Sequence, residues 1–202
     1  MPDILVLGGG AAGLMAAVTA AELGASVTLL ERNEKLGKKI YITGKGRCNC
    51  TNLCPPEEFR KSVVRNPRFL YSALEALPPA ELLAKLNEWG CPTVVERGNR
   101  AFPVSQKASD ITRAFERRFA RLGGHVRLNA RVRDLCVRDG QVCGVTLENG
   151  ETLTADAVIV CTGGVSYPST GSTGDGYALL KACGHRITAL KPALIPLRSD
   201  AE

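Results

Sequence analysis

No apolar run in the 202 residues approaches the length of a membrane span. Strand-like sequence starts at Ile4, leaving no room for a basic segment, an apolar stretch and a cleavage site. Membrane-embedded and exported chains are therefore not expected, and a cytoplasmic one is. No zinc-type C-x2-C pair occurs, and His125 and His185 stand remote from the cluster Cys48, Cys50 and Cys54, so no metal site is expected. No G-K-[ST] follows the lysine-rich glycine loop, which excludes a Walker-type phosphate loop. No aromatic platform is interleaved with Arg113, Arg117, Arg118 and Arg121. Those arginines read as the solvated face of a helix rather than a nucleic-acid surface. Internal repeats and low-complexity segments are also missing.

What is present is ordinary in bulk: 45% hydrophobic and 23% charged residues with a net charge of +6. That is enough for one domain with a substantial core. Eight cysteines are many. Without an export signal they are read as reduced thiols acting as small hydrophobes.

The first thirty-one residues are the most specific. Ile4-Leu5-Val6-Leu7 reads as a buried parallel strand, Gly8, Gly10 and Gly13 form a G-x-G-x-x-G turn, and an alanine-rich helix follows. Val27-Thr28-Leu29-Leu30 is then a second strand, ending at Glu31, eighteen residues after Gly13. Each part suits a dinucleotide. Gly8 allows the tight turn, Gly10 keeps a Cβ out of the pyrophosphate path, and Gly13 lets helix and strand pack closely. The helix N-terminus aims its amides and dipole at the diphosphate. Glu31 is placed to accept the ribose hydroxyls and disfavours a 2′-phosphate. The plainer alternative is a tight turn without a ligand.

Further along, Gly24 caps the first helix, Ala11 to Leu23. A polar, glycine-rich stretch from Arg32 to Asn52 is too long for an idle connection. Helices are expected over Pro56–Val64, Pro67–Leu77 and Pro79–Trp89, each opened by proline. Val94–Val95 and Ala101–Phe102 read as a hairpin, Ala108–Leu122 as an amphipathic helix, and His125–Leu128 as a strand returning to the main sheet. Val132–Asp139, Gln141–Glu148 and Thr152–Thr154, turned at Asp139-Gly140 and Asn149-Gly150, read as an antiparallel meander. Ala157–Cys161 is expected to be a fully buried strand, and about Gly176–Cys183 a last helix. The fold class is thus α/β: a doubly wound parallel sheet with a helical insertion and an antiparallel meander. Simple NAD-binding domains rarely carry that meander, whereas FAD-binding domains of the glutathione-reductase type do.

Thr162-Gly163-Gly164 stands at the carboxyl end of a strand, where α/β sheets place ligands. The hydroxyl- and glycine-rich run Tyr167–Gly176 then leads into the last helix. It reads as a cradle for polar ligand groups, or more plainly as a helix entry capped by Thr173 or Asp175. The stretch Gly37–Asn52 offers lysine, arginine and glycine amides to a diphosphate or a flavin edge, unless it is simply a solvated basic loop. Cys48, Cys50 and Cys54 lie at offsets of two, four and six, which match neither C-x4-C nor C-x2-C. Arg47 is expected to lower the Cys48 pKa.

These motifs together resemble one family. The opening fingerprint, GKGRCNCTN, AFPVSQKASD at Ala101–Asp110 and TGGVSYPSTGSTGDG at Thr162–Gly176 are similar to the BaiN/YhiN-type flavoproteins, often described as aminoacetone-oxidase-family enzymes. More distantly the chain resembles fumarate-reductase-type flavoproteins. The resemblance runs from Ile4 to about Pro196 and implies a glutathione-reductase-type FAD-binding domain with a second domain inserted in it. Family members are about twice this length. The expectation is therefore an N-terminal portion, with residues 1–190 an FAD-binding domain lacking its C-terminal return segment and 191–202 a linker into the inserted domain.

The implied activity is hydride or two-electron transfer to or from a small organic substrate, enone reduction being one form. NAD(P)H is a candidate donor; with no second G-x-G-x-x-G it has to dock without its own Rossmann domain. The expected cofactor-binding residues are Gly8, Gly10, Ala11, Ala12, Gly13, Glu31, Arg32, Lys39, Gly46, Arg47, Cys48, Asn49, Val132, Thr162, Gly163, Gly164, Thr173, Gly174 and Asp175. No catalytic acid or base is assigned. The alternatives are a flavoprotein acting on RNA, although nucleic acid is not the expected partner, and a non-catalytic nucleotide-binding module.

Overall fold

A computed structural model describes residues 1–192. Of the expected linker, all but Lys191 and Pro192 lie outside the described residues.

Apolar alternation builds the central sheet. Strands β1 (Asp3–Leu7), β2 (Ser26–Leu30), β6 (His125–Arg127) and β10 (Ala157–Val160) pair in parallel in the order β10-β1-β2-β6. Val6, Val27 and Leu29 point to one face, where they bury against α1 (Ala11–Glu22) and α5 (Ala108–Arg121). Leu5, Leu7 and Leu30 point to the other, against Val145, Leu147 and Leu179. Period-2 side-chain direction thus makes three layers from four short strands.

The second layer is closed by Phe115 and Phe119 of α5, with Trp89 meeting Phe115 edge to face at a centroid distance of 5.2 Å. Helix α1 ends in a Schellman turn. Gly24, at φ +88°, donates to the Ala21 carbonyl, and Ala25 donates to that of Ala20.

Between β2 and α5 lies the helical insertion: a short strand β3 (Thr51–Asn52), α2 (Pro56–Lys61), α3 (Tyr71–Ala76) and α4 (Pro79–Glu88). The hairpin β4 (Thr93–Glu96) and β5 (Arg100–Pro103) follows, and β3 pairs with β5 as a third strand. The expected helix over Pro67–Leu77 divides into a 3-10 turn at Pro67–Leu70 and α3. Asn66 enters it at φ +51°, a poor start for a regular helix.

The meander β7 (Val132–Arg138), β8 (Gln141–Leu147) and β9 (Thr152–Thr154) forms its own antiparallel sheet. Its first turn has Asp139 and Gly140 both at positive φ, the type I′ geometry those residues suit. The chain closes with β10, a 3-10 turn at Pro168–Thr170 and α6 (Asp175–Ala182). β10 is half-buried along its length rather than fully buried, because among the described residues it is an edge of the sheet. No helix among the described residues is long and apolar enough to cross a membrane.

Candidate functional site

At the carboxyl ends of β1, β2 and β10 the chain leaves the sheet in different directions, and a cleft of about 500 Å³ opens there. This is the switch point at which α/β sheets bind ligands, and the volume is that of a small-molecule site.

The glycines of the fingerprint divide by cause. Gly8 is at φ +99°, and a Cβ there would sit 2.6 Å from the Cys161 carbonyl oxygen. A Cβ on Gly13 would lie 1.8 Å from the Gly8 oxygen, so helix and strand touch backbone to backbone. Gly10 is different. Its φ of −81° and ψ of −171° suit any residue, and nothing lies within 4 Å of its Cβ position. That space belongs to the cleft, at the start of α1. Neither backbone conformation nor packing requires glycine at position 10.

Glu31 is 6% exposed. Its Oε2 accepts the Gly9 amide at 2.6 Å, and its Oε1 accepts the Asn33 amide at 2.8 Å and the Asn33 side-chain amide at 2.6 Å. The carboxylate therefore ties the end of β2 to the glycine turn, besides facing the cleft.

On the opposite wall Asp175, in the first turn of α6, gathers two cations. Arg32 donates to its Oδ2 at 3.0 Å and Arg131 at 3.1 Å, while Thr173 donates to its Oδ1 at 2.7 Å. Partial burial opposes its charge, but the Thr173 hydroxyl and the Arg131 and Arg32 guanidiniums outweigh that and hold the carboxyl below the ordinary range. Lys39 donates to the Ser166 carbonyl at 2.8 Å and the Ser172 hydroxyl at 2.6 Å, binding the basic loop to the glycine-rich run. The cap reading of Thr173 and Asp175 fails, because α6 has Gly174 at its N-cap and no side-chain cap.

Thirteen of the expected residues line the cleft: Gly8, Gly10, Ala11, Ala12, Glu31, Arg32, Lys39, Cys48, Asn49, Val132, Thr162, Gly163 and Asp175. Gly13, Gly46, Arg47, Gly164, Thr173 and Gly174 do not. Arg47 turns to the hairpin, donating to Glu96 at 3.0 Å and Gln106 at 2.7 Å and stacking on Phe102 at 4.0 Å. It is therefore not what lowers the Cys48 thiol. The neighbouring Cys50 thiol does so, against the opposing effect of burial and with help from the Thr43 hydroxyl, bringing it to about 7.

Sequence reasoning missed Asn33, Lys38, Thr43, Arg131 and Ser172 in the cleft wall. Lys38 and Asn33 adjoin expected residues and were within reach. Arg131 arrives only through the long-range approach of β7 to α6, which no local pattern encodes.

Fold and cleft together define a Rossmann-type dinucleotide-binding domain of the kind found in flavin-dependent oxidoreductases. The chain belongs to the HI0933-like Rossmann domain family, whose description matches residues 2–191. It is 34% identical to a 3-dehydro-bile acid delta(4,6)-reductase of Clostridium scindens, over 98% of this chain and 48% of that protein. It is 30% identical to a ribosomal RNA dihydrouridine synthase of Haemophilus influenzae, over 95% of this chain and 48% of that one. The chain thus spans about half the length of the relatives it matches. Among solved structures it resembles the 3-ketosteroid-delta4-(5alpha)-dehydrogenase of Rhodococcus jostii RHA1, with TM-score 0.67 and 18% identity over 91% of this chain and 54% of the other.

Proposed function

We propose that this chain is the FAD-binding part of a cytoplasmic flavin-dependent oxidoreductase acting on a small organic substrate. The observation that carries the reading is Gly10: an open Cβ position at a helix N-terminus, in a cleft at the switch point of the sheet. Residues 1–190 form the cofactor domain in this reading. The free amides at the start of α1 receive the diphosphate, with Arg32, Lys39 and Arg131 supplying positive charge around it. Glu31 accepts the adenosine ribose with the lone pairs its protein partners leave free, and Val132 borders the adenine. Cys48, Asn49, Thr162 and Gly163 border the remainder of the cofactor. Bound FAD supplies two-electron chemistry, and the protein supplies its position and electrostatics. NAD(P)H is the proposed donor. Reduction of an activated carbon–carbon double bond is the proposed reaction, supported by the Clostridium scindens relative, which is named as a bile acid delta(4,6)-reductase.

The test is the visible absorption spectrum of the purified chain, with identification of whatever cofactor is released on denaturation. A flavin spectrum with released FAD is the expected result. A colourless chain that also fails to take up added FAD would overturn the assignment of this cleft.

A second reading, an RNA substrate, has its own observation. Residues 59–71 carry Arg60, Lys61, Arg65 and Arg68 with no acid between them, beside Phe69 at 85% and Tyr71 at 51% exposure. Exposed aromatics among cations suit single-stranded nucleic acid, and one relative is named as a ribosomal RNA dihydrouridine synthase. Binding to ribosomal RNA that falls steeply with salt and is lost in Phe69→Ala would favour it.

A further inference from the structure

The three clustered cysteines do not form one group in the fold. Cys48 and Cys50 line the main cleft, whereas Cys54 lines a separate surface hollow with Phe59 and Ser62. The backbone makes the pair. Cys48 sits at φ +61°, in the left-handed region that disfavours a residue with a Cβ. That turn folds Cys50 back, so that its thiol donates to the Cys48 carbonyl at 3.5 Å. A strained backbone carrying a nucleophile in a cleft is a recurrent mark of function.

We propose that Cys48 and Cys50 are a dithiol–disulfide couple in the wall of the cleft, reacting with low-molecular-weight disulfides that enter it. The Cys48 thiolate attacks one sulfur of the small disulfide, whose S–S bond breaks and releases one thiolate. The Cys50 sulfur, losing its proton to solvent, then attacks the Cys48 sulfur. The Cys48–Cys50 bond forms, and the second small thiolate leaves and is protonated. In total the protein dithiol is oxidised by two electrons and the disulfide is reduced to two thiols. No cofactor takes part in the exchange, which belongs to the chain free of FAD because both ligands would share this cleft.

The two sulfurs have the right division of labour. Cys48, at about 7, is about half thiolate at neutral pH, while the Cys50 thiol is pushed up by its hydrogen bond with Cys48 and by burial and holds its proton until the second step. Cys91, nearby but pushed up to about 11 by burial, is no competitor. A ring closed across one intervening residue is strained, which keeps the bond open to reduction by small thiols.

The experiment uses the reduced, purified chain and oxidised glutathione, following thiol release and mapping the tryptic peptide that starts at Cys48. Two thiols are expected for each pair closed, beyond those released at other exposed cysteines such as Cys183, with that peptide losing two hydrogens and the bond located between Cys48 and Cys50. Cys54→Ser should change nothing. Cys50→Ser should stop at glutathione bound to Cys48, with one thiol released. The wild-type rate should level off above about pH 7, the Cys48 value, and fall at least tenfold at neutral pH in Cys48→Ser. Persistent glutathionylation of Cys48 or Cys50 in the wild-type chain, a bond from either to Cys54 or Cys91, or no reaction at the pair would each overturn the proposal. Because the wild-type map alone decides it, misfolding of a variant would not rescue the idea.

Discussion

Gly10 and Gly13 stand three residues apart in one fingerprint and answer to different constraints. A side chain at Gly13 runs into the Gly8 carbonyl, whereas one at Gly10 meets only the cleft. Gly13→Val should therefore prevent folding, while Gly10→Val should lose only about 1 kcal/mol, the cost of a poor N-cap residue at the start of α1. Yet Gly10→Val should lose nucleotide binding altogether. Urea unfolding and FAD titration on the same preparation separate the two, and a Gly10→Val chain that binds FAD normally would refute the pose. Glu31 combines both duties. Glu31→Ala strands the Gly9 amide and the Asn33 donors in a buried place, so the ligand-free chain should lose about 2–4 kcal/mol, and binding a further ~1–3 kcal/mol. The sequence pointed to Glu31 as a ribose acceptor but not as the lock on the glycine turn. Motif spacing says where an acid stands and not which amides will find it. Asp175 gives a pH test. Its folded pKa is lowered, so its contribution is complete above the unfolded value of about 3.9 and fades as pH falls through the lower folded one. The stability gap between the parent and Asp175→Asn should be open at about pH 6 and narrow steadily as the pH falls below about 3.9, and be no larger than about 1 kcal/mol because the pair is partly solvated.

Helix α1 shows how far local sequence reaches. Its alanine-rich body, its start after Gly10 and its end at Gly24 were all legible, and the Schellman bonds at Gly24 explain why. A Cβ at Gly24 meets nothing within 4 Å, so only its φ of +88° resists substitution. Gly24→Ala should cost about 1–2 kcal/mol and leave the cofactor site alone, as urea midpoints and a nucleotide titration would show. The strands and turns of the meander and hairpin were equally legible from alternating apolar residues and glycine-bearing turns, although the register of β7 on β8 shifts at Val132/Asp134 and Cys136/Val137 in a way no local pattern marks. Legibility failed where distant parts decide. The half-burial of β10 depends on what stands beside it, the pairing of β3 with β5 needs a strand forty-eight residues away, and the 3-10 entry to α3 follows from one left-handed Asn66. The basic loop was read as a ligand contact, and its two expected cations divide: Lys39 lines the cleft and Arg47 does not. Lys39 turns inward to Ser172, while Arg47 turns outward to Glu96.

Across the whole molecule the expected cofactor residues that miss the cleft have a pattern. Apart from Gly13, whose role is packing, they are Gly46, Arg47, Gly164, Thr173 and Gly174, all from the run read as contacting a diphosphate or flavin edge and from the run read as a polar cradle. The residues of the opening fingerprint other than Gly13, namely Gly8, Gly10, Ala11, Ala12 and Glu31, all line it, and so does Val132, proposed to border the adenine. The chain also spans about half the length of its relatives. In the proposed pose the adenosine end is lined in full and the flavin end in part, which predicts a specific affinity pattern. This chain should bind ADP and FAD with dissociation constants within about tenfold of each other, because the flavin adds less than about 1.4 kcal/mol here. In a protein extended to the full length of the relatives, FAD should gain at least a hundredfold over ADP. Isothermal titration of both ligands against both proteins measures it. If this chain already favours FAD over ADP by a hundredfold, the flavin end is built from the residues described here, and the missing contacts at Gly46, Gly164 and Gly174 must be made when the ligand arrives.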